Sequence, residues 1–508
     1  MPSFGSPQPL SEITQATLAQ IRKSATEGVT TATGIRGYDL AGLVALIPVN
    51  VPARNNTSAF PRTIAPEGSE AAVWRALLNL NSSQKSAAVG RDFAGSLTKF
   101  EEQDCFAPYQ PLAKAGRVTL DAMSFGRNYA DSLAVAELQT LNQLFIEQDL
   151  FLINGQAWAV HKPGTPTLTT SNTGGTIAKE KVVKVKATAR SGANYFSAEP
   201  GAGTHSGSSE LGEPGEVETS SNAAATHSVT ATLPAAIKGA VAYDWYVAEG
   251  SGTFYYYTTT TTTTVTIKAI PTSAEAVPSL PLITAATPRT AASATTNTSY
   301  SSKYYNGVLA TTLGDYGTTG PVQPGTGTSS GAIWVDNAGA ALTASGSSVT
   351  LLDKLNAELW DAVQLSPTAY MMNSLQAEEL SKLLLEGSIA TTFLPPTEAD
   401  ARTNLAGGGF VGRYINKAAG GVPVNIEVHP RMAPGTIMAR TDRVPFPGSN
   451  IGTVFEQRCQ YDTMKFNYAA SYTAESEGGG PREDFEIRSM EATVNHAPLA
   501  QAIATNVA

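Results

Sequence analysis

Five histidines, two cysteines, one Gly-x-Ser-x-Gly run and one acidic cluster are the parts of this chain whose residue types lend themselves to catalysis or metal binding. A serine hydrolase elbow needs a strand before and a helix after the nucleophile, so that the turn strains it outward. The run "GTSSG" at 327–331 lies instead between "PVQP" and "GAIWV", in a Ser/Gly-rich segment. His161, His205, His227, His429 and His496 show neither the H-x-x-x-H nor the H-E-x-x-H spacing that sets two imidazoles on one helical face. Each reads as a solitary surface or packed residue. "GDYGTTG" at 314–320 has the glycines of a phosphate loop but not the GK[ST] ending that brings a lysine to the phosphates. The acidic residues of "KFEEQD" at 99–104 read as a solvated face rather than paired catalytic carboxylates. Cys105 and Cys459 form neither a disulfide framework nor a CxxC motif, and read as reduced thiols. The sequence thus predicts no catalytic residue, no cofactor-binding residue and no metal ligand: the chain is expected not to be an enzyme and to need no cofactor.

Composition narrows the remaining classes. At a soft ~150 residues per domain, 508 residues imply about three or four domains with at least one large core. Hydrophobic residues at 42% and charged residues at 15% describe a lightly charged globular chain rather than a disordered one. A formal charge of −9 argues against tight autonomous binding to nucleic acid or anionic membrane, both of which need clustered cations. The N-terminus lacks the charged-then-apolar order of a signal peptide, and the best early apolar run, "LAGLVALIPVNV" at 40–51, is broken by Pro48. The expectation is a cytoplasmic protein, neither exported nor embedded.

Hydrophobic spacing predicts the elements. Residues 10–23 place Leu10, Ile13, Thr17 and Ile21 at helical spacing, a short amphipathic helix on an arm. "EAAVWRALLNL" at 70–80 and "GSLTKFEEQD" at 95–104 are ambiguous between helix and strand. As strands they make a long hairpin with little core of its own, which needs a neighbour to lie on. "RVTLDAMSF" at 117–125 alternates as a strand. The stretch 131–155 predicts the longest helix, capped by Asp131 or Ser132 and stopped by Asn154-Gly155. Further on, 349–364 and 374–387 read as helices around the strand "PTAYMMN", 412–439 as two strands around a GG turn, and the C-terminal stretch as two long strands.

Between them the composition changes. Residues 163–180 read as a linker, after which 181–189, 227–233 and 241–249 alternate apolar with polar residues. Short strands between Gly/Ser/Pro loops predict a β-sandwich anchored by Trp245 with Tyr243 or Tyr246. The threonine run in "YYYTTTTTTTVTIKA", 255–269, is β-branched and leads without Gly or Pro into an alternating strand. It is expected to be an edge strand with its hydroxyls toward solvent.

The order of parts carries a resemblance. With "PRTIAPEGSEAAVWRALLNLNS", "RVTLDA", "ELWDAVQLSPTAYMMN" and the closing "EATVNHAPLAQAIA", the chain resembles a tailed-bacteriophage major capsid protein of the Hong Kong 97 type over most of its length except roughly 165–290. The resemblance implies an α+β capsid fold: an N-terminal arm at 1–59, an extended loop at 60–110, and a peripheral domain from 111–162 with its spine helix and from 431–508. It also implies an axial domain at 291–430, interrupted before it by linkers and an inserted all-β immunoglobulin-like sandwich at 163–290 with its core at about 180–271. The function it implies is self-assembly into hexamers and pentamers of an icosahedral shell around double-stranded DNA, without sequence-specific binding, and with the sandwich displayed on the surface. Implied partners are further copies of the chain, portal and scaffolding proteins and a decoration protein, with no membrane; the implied location is the virion capsid, assembled in the host cytoplasm. No charged helical scaffold segment precedes the arm, so a separate scaffolding protein is implied. The rival classes are another phage structural protein or a bacterial surface adhesin with a β-sandwich module, and an enzyme with a β accessory domain, which would need a clustered acid, base or nucleophile.

Overall fold

The computed structural model describes residues 59–66, 68–79, 91, 101–126, 131–197, 208–222, 226–271, 297–301, 303–317, 320–322, 331–345, 348–386, 411–444, 451–468 and 482–508. The arm helix expected at 10–23 lies outside these residues. Two compact units emerge, one drawn from Pro111–Gln148 and Cys459–Glu491, the other from Pro52–Gln110, Asp149–Arg458 and Ala492–Ala508.

In chain order the first strands are β1 (Arg62–Ile64), β2 (Ala71–Asn79), β3 (Glu101–Pro108) and β4 (Gln110–Thr119). Then come β5 (Thr167–Ser171), β6 (Val182–Arg190), β7 (Gly215–Glu218), β8 (Ser228–Thr232), β9 (Ala242–Glu249), β10 (Tyr255–Thr260) and β11 (Thr264–Ile267). They are followed by β12 (Asp315–Gly317), β13 (Gly320–Val322), β14 (Ile333–Asp336), β15 (Ala344–Ser345), β16 (Ser348–Val349) and β17 (Ala369–Met372). The last are β18 (Arg413–Asn416), β19 (Val422–Val428), β20 (Ile437–Arg440), β21 (Phe455–Tyr468), β22 (Arg482–Asn495) and β23 (Ala502–Thr505).

In the first unit, β22 lies between β21 and β4, and the long helix Ser132–Asn154 supplies the residues up to Gln148. Asp131 caps that helix, as expected: its Oδ1 accepts the backbone N–H groups of Leu133 and Ala134 at 3.0 and 3.3 Å. Gln148 Nε2 donates to Ser489 Oγ and to the buried Glu491 Oε1, both at 2.7 Å, tying helix to sheet. Lys114 with Glu147 and Lys465 with Glu137 add ion pairs between the same layers. The strand expected at 117–125 is shorter than its alternation suggests. β4 stops at Thr119, whose Oγ1 accepts the N–H of Ala122 at 3.3 Å, and this cap starts the helix Leu120–Gly126.

In the second unit, seven strands form the expected sandwich: a four-stranded sheet ordered β10-β9-β6-β7 faces a three-stranded one ordered β11-β8-β5. Val183, Val185, Ala187, Tyr243, Trp245 and Val247 bury one face of the first sheet against Val229, Ala231, Val265 and Ile267 of the second. Strand alternation thus selects Tyr243 as the partner of Trp245 and turns Tyr246 to the opposite face, against Tyr256. Two expectations change. The stretch 163–180 is not only linker, because β5 within it pairs with β8 from Thr167 to Ser171. The strand order also departs from the seven-stranded constant-type immunoglobulin pattern: there the fourth strand shares a sheet with the first, second and fifth, whereas here it pairs with the first and seventh.

The sandwich is joined to a six-stranded mixed sheet, ordered β14-β23-β20-β17-β19-β18. Helix Thr350–Val363 packs Leu351, Leu352 and Leu355 into a core with Tyr370, Ile437 and Ala504 of that sheet. Helix Ser374–Glu386 adds Ala377 and Leu380, with Asn373 Oδ1 accepting the N–H of Leu375 at 3.0 Å. The chain leaves the long helix at Gly155 and returns at Gly307, and the N–H of Gly307 donates to the carbonyl of Gly155 at 2.8 Å. A Cβ at Gly155 would lie 2.4 Å from the Tyr305 carbonyl oxygen, and one at Gly307 2.5 Å from that of Phe151, so both positions exclude a side chain. Insertions between adjoining ends are cheap in loop entropy.

Gly116 on β4 is constrained in the same way by the buried ring of Phe485, whose Cζ would sit 2.3 Å from an added Cβ. Gly116→Ala is therefore expected to destabilise the protein by about 1–3 kcal/mol through overpacking, read by urea unfolding; an unchanged midpoint would contradict this packing.

Candidate interaction surface

The residue types capable of chemistry are scattered. His161 is exposed, and His205 and most of the "GTSSG" run lie outside the described residues. His227 is buried and neither ring nitrogen makes a hydrogen bond. His429 is buried 3.3 Å from Asp149, with Nδ1 accepting the N–H of Arg431 at 3.1 Å. His496 sits 3.1 Å from Glu456. Among the described residues no group of three or more His, Cys, Asp and Glu is placed to hold a metal ion. Neither cysteine forms a disulfide and both are buried, and burial pushes the Cys105 thiol up to about 12, which makes it a poor nucleophile. "GDYGTTG" contains β12 and the first residue of β13, paired from Asp315 with Val322 to Gly317 with Gly320.

The acidic cluster of "KFEEQD" has a clearer place. β2 and β3 pair antiparallel, with Val73 opposite Phe106 and Arg75 opposite Asp104, so the first ambiguous segment is a strand and so is 101–104 of the second, which runs on to Pro108, while 95–100 lie outside the described residues. One face turns inward: Ala72, Trp74, Ala76, Leu78 and Cys105 are buried. That face finds partners within its own unit. Trp74 Nε1 donates to the Asn495 carbonyl at 3.0 Å, the N–H of Leu77 to that of His496 at 2.9 Å, and Arg458 Nη1 reaches the Val73 carbonyl at 2.8 Å. Among the described residues the apolar side chains of the outer face have none. Val73 is 65% and Phe106 49% exposed, directly across the ladder from each other. Beside them Arg75 Nε donates to Asp104 Oδ1 at 2.7 Å, with Glu102 3.4 Å away. The Arg75 guanidinium, through its hydrogen bond and charge, holds the Asp104 carboxyl below its ordinary range. An exposed pair of this kind adds little stability. What it does is finish the charge pairing on a face that still carries two large apolar side chains, each worth roughly 1.5–3 kcal/mol if buried against a partner.

The hairpin root is fixed by polar contacts. Glu456, at the start of β21, accepts from His496 Nε2 and Thr63 Oγ1 and pairs with Arg458 at 3.3 Å. Sequence reasoning did not single out Glu456, since its partners lie far apart in the chain; only the charged pair Glu456 and Arg458 on one strand face hinted at it.

No family model matches the chain, and no curated protein does. Among solved structures, it is similar to the capsid of a native GTA particle at 7% identity, covering 94% of this chain and 99% of that one, with a TM-score of 0.40. The capsid asymmetric unit of cyanophage A-1(L) is similar at 8% identity over 96% of this chain and 99% of that one, TM-score 0.45. A Mycobacterium phage Cain structure is similar at 9% identity over 95% and 97%, TM-score 0.35.

The hydrogen bond from His496, followed by those from Thr63 and Arg458, outweighs burial and holds the Glu456 carboxyl down at about 2, against 4.5 ordinarily. A carboxyl depressed in the folded state stabilises above its ordinary pKa and loses that contribution as pH falls through the folded value. Glu456→Gln is expected to cost about 1–2 kcal/mol at pH 7, with the difference from the native protein shrinking below pH 4.5 and lost as pH falls through about 2. Denaturant titrations across that range check it; a constant difference would show that the charge is not what matters.

Proposed function

We propose that this chain is the major capsid protein of a tailed bacteriophage, of the Hong Kong 97 type, and that it assembles into hexamers and pentamers of an icosahedral shell. The observation that carries the reading is the two-faced hairpin: its inner face is anchored in its own subunit while Val73 and Phe106 stand outward and unpartnered among the described residues. Such a face is a liability on a monomer and a contact on a subunit that always has neighbours. In this reading 1–59 is the arm, 60–110 the extended loop that lies over an adjacent subunit, 111–162 with 431–508 the peripheral domain built on the long helix, and 291–430 the axial domain. The 23-residue helix Ser132–Asn154 and the two 14-residue strands favour the peripheral part of that division, whereas β20 and β23, which also fall within 431–508, pair into the six-stranded sheet with strands of 291–430.

A formal charge of −9 suits a shell that encloses double-stranded DNA without gripping it, since lasting phosphate contacts would hinder packaging and release. Portal and scaffolding proteins, and a decoration protein on the outside, are the partners this role requires; the location is the virion, with assembly in the host cytoplasm. In this reading 163–290 carries the sandwich, whose described strands run from Thr167 to Ile267. Its four-stranded sheet, two hairpins joined through β6 and β9, has the order of the G-F-C-C′ sheet of variable-type immunoglobulin domains, which is as far as the immunoglobulin-like reading extends.

The experiment is negative-stain electron microscopy of the protein expressed alone and with its neighbouring genes. Closed shells, or free hexamers and pentamers, are expected, and empty shells should form without DNA. Val73→Lys together with Phe106→Glu, opposite charges across the ladder, should abolish them while leaving the thermal unfolding of the subunit nearly unchanged, because exposed substitutions shift stability by only about 0.5 kcal/mol. A monodisperse monomer under every condition, or assembly that strictly requires nucleic acid, would overturn the reading.

A further inference from the structure

The threonine run lies on edge strands, as expected, but residues 258–262 are half-buried rather than turned to solvent, and the hydroxyls of Thr259, Thr260 and Thr262 bond within the protein. Thr259 Oγ1 donates to Asp244 Oδ1 at 2.5 Å, Thr260 Oγ1 accepts from Trp245 Nε1 at 2.8 Å and donates to the Thr262 carbonyl at 2.6 Å. Thr262 Oγ1 donates to the Thr264 carbonyl at 3.1 Å. These bonds shape a turn between β10 and β11, and its tip is buried: Thr263 is 4% exposed.

What buries it belongs to the C-terminal segment and two loops of the six-stranded sheet. Asn506 Oδ1 accepts the N–H of Thr263 at 2.8 Å, and Asn506 Nδ2 donates both to Thr263 Oγ1 at 3.0 Å and to Asp336 Oδ1 at 2.7 Å. The backbone of Asn506 is left-handed, with φ 61°, a conformation asparagine tolerates better than most residues. Its carbonyl accepts the N–H of Gly339 at 2.9 Å. Gly435, at φ 82°, leaves room for the turn: a Cβ there would lie 3.1 Å from Thr261 and 2.9 Å from the Val507 carbonyl. Asn506 directly follows β23, which lies between β14 and β20 inside the sheet.

We propose that Asn506 is the positioning residue of a strap by which the C-terminal segment fixes the sandwich to the six-stranded sheet, so that the two move as one body. The primary amide suits the role because one side chain satisfies an acceptor and two donor roles at once, where either loss would orphan a buried group. Apolar contact beneath the turn is non-directional and cannot set the angle by itself. The inference concerns the single subunit and stands whether or not the chain forms a shell.

Native-state hydrogen exchange tests it on the full chain with Asn506→Gly, which keeps the left-handed backbone and removes only the side chain, with Thr263→Val, and with both together. Amides of Leu233, Thr263 and Val265 should exchange at least tenfold faster in Asn506→Gly, while the helix Thr350–Val363 stays unchanged. The double variant should be little faster than the worse single one, because both changes break the same joint. Asn506→Asp, which removes the donors and sets a second carboxylate against Asp336, should loosen the turn further than Asn506→Gly. Sandwich exchange within twofold of the native protein, additive effects in the double variant, or equal loosening of the helix Thr350–Val363 would each overturn the strap. If Asn506→Gly fails to accumulate, Thr263→Val alone decides by the same amides.

Discussion

One apolar cluster joins the sandwich to one face of the six-stranded sheet, whose other face packs a separate core beneath the helix Thr350–Val363. It runs without interruption from the sandwich interior, through Trp158 and the helix end at Leu152 and Ile153, to Met371 and Met438 of the six-stranded sheet. Hydrophobic burial is proportional to the area removed from water and indifferent to direction, so a cluster this extended gives strength without specifying geometry. Everything else in the unit can be understood as a device that fixes how the pieces lie on that cluster. The glycine crossing at Gly155 and Gly307 brings together the segments that lead into and out of the sandwich, with backbone atoms touching. The buried Arg440, 1% exposed, links Glu427, Asp442 and the ring of Phe60, setting the end of β20 against the segment that leads into β1.

How much of this is legible in the sequence depends on how local its cause is. The long helix is read at 131–155 and found at Ser132–Asn154, because its cap, stripe and stop all lie within the segment. β6, β8 and β9 are read nearly to the residue, since each alternates against a single core. β5 is missed because Leu168 is its one large apolar residue, and a strand with so little to bury looks like linker. The stretch after β4 is misread for a similar reason: alternation persists through Leu120 and Ala122, but the Thr119 hydroxyl, not the pattern, decides where the helix starts.

The candidate surface was half legible. β2 places apolar residues on both faces, with Val73 outward and Ala72 and Trp74 inward, so its period reads as neither helix nor strand. The register with β3 resolves it, and register is a relation between two segments roughly thirty residues apart. The prediction that such a hairpin needs something to lie on is met on one face by its own unit. The threonine run shows the limit most clearly. Composition identifies it as β structure, but the partner of Thr263 is Asn506, 243 residues away, and nothing in either segment names the other.

The polar contacts in this protein therefore sit where directional information is scarce. Arg190 and Asp244 are both fully buried on the sandwich, 3.5 Å apart, with the Thr259 hydroxyl on the second carboxylate oxygen. A buried pair of charges often stabilises no more than a well-packed apolar pair of the same volume, because desolvation offsets the attraction. The hydroxyl's effect is to penalise alternatives: shifting β10 along β9 by one residue would turn Thr259 away from Asp244 and take from its Oδ1 that hydrogen bond in a dry interior. Threonine-rich edge sequence, with no large side chains to define its register, is the kind of strand that slips most easily. That the chain places its buried carboxylate and its indole N–H opposite this run is the physical reason a sequence of repeated threonines can occupy one position rather than several.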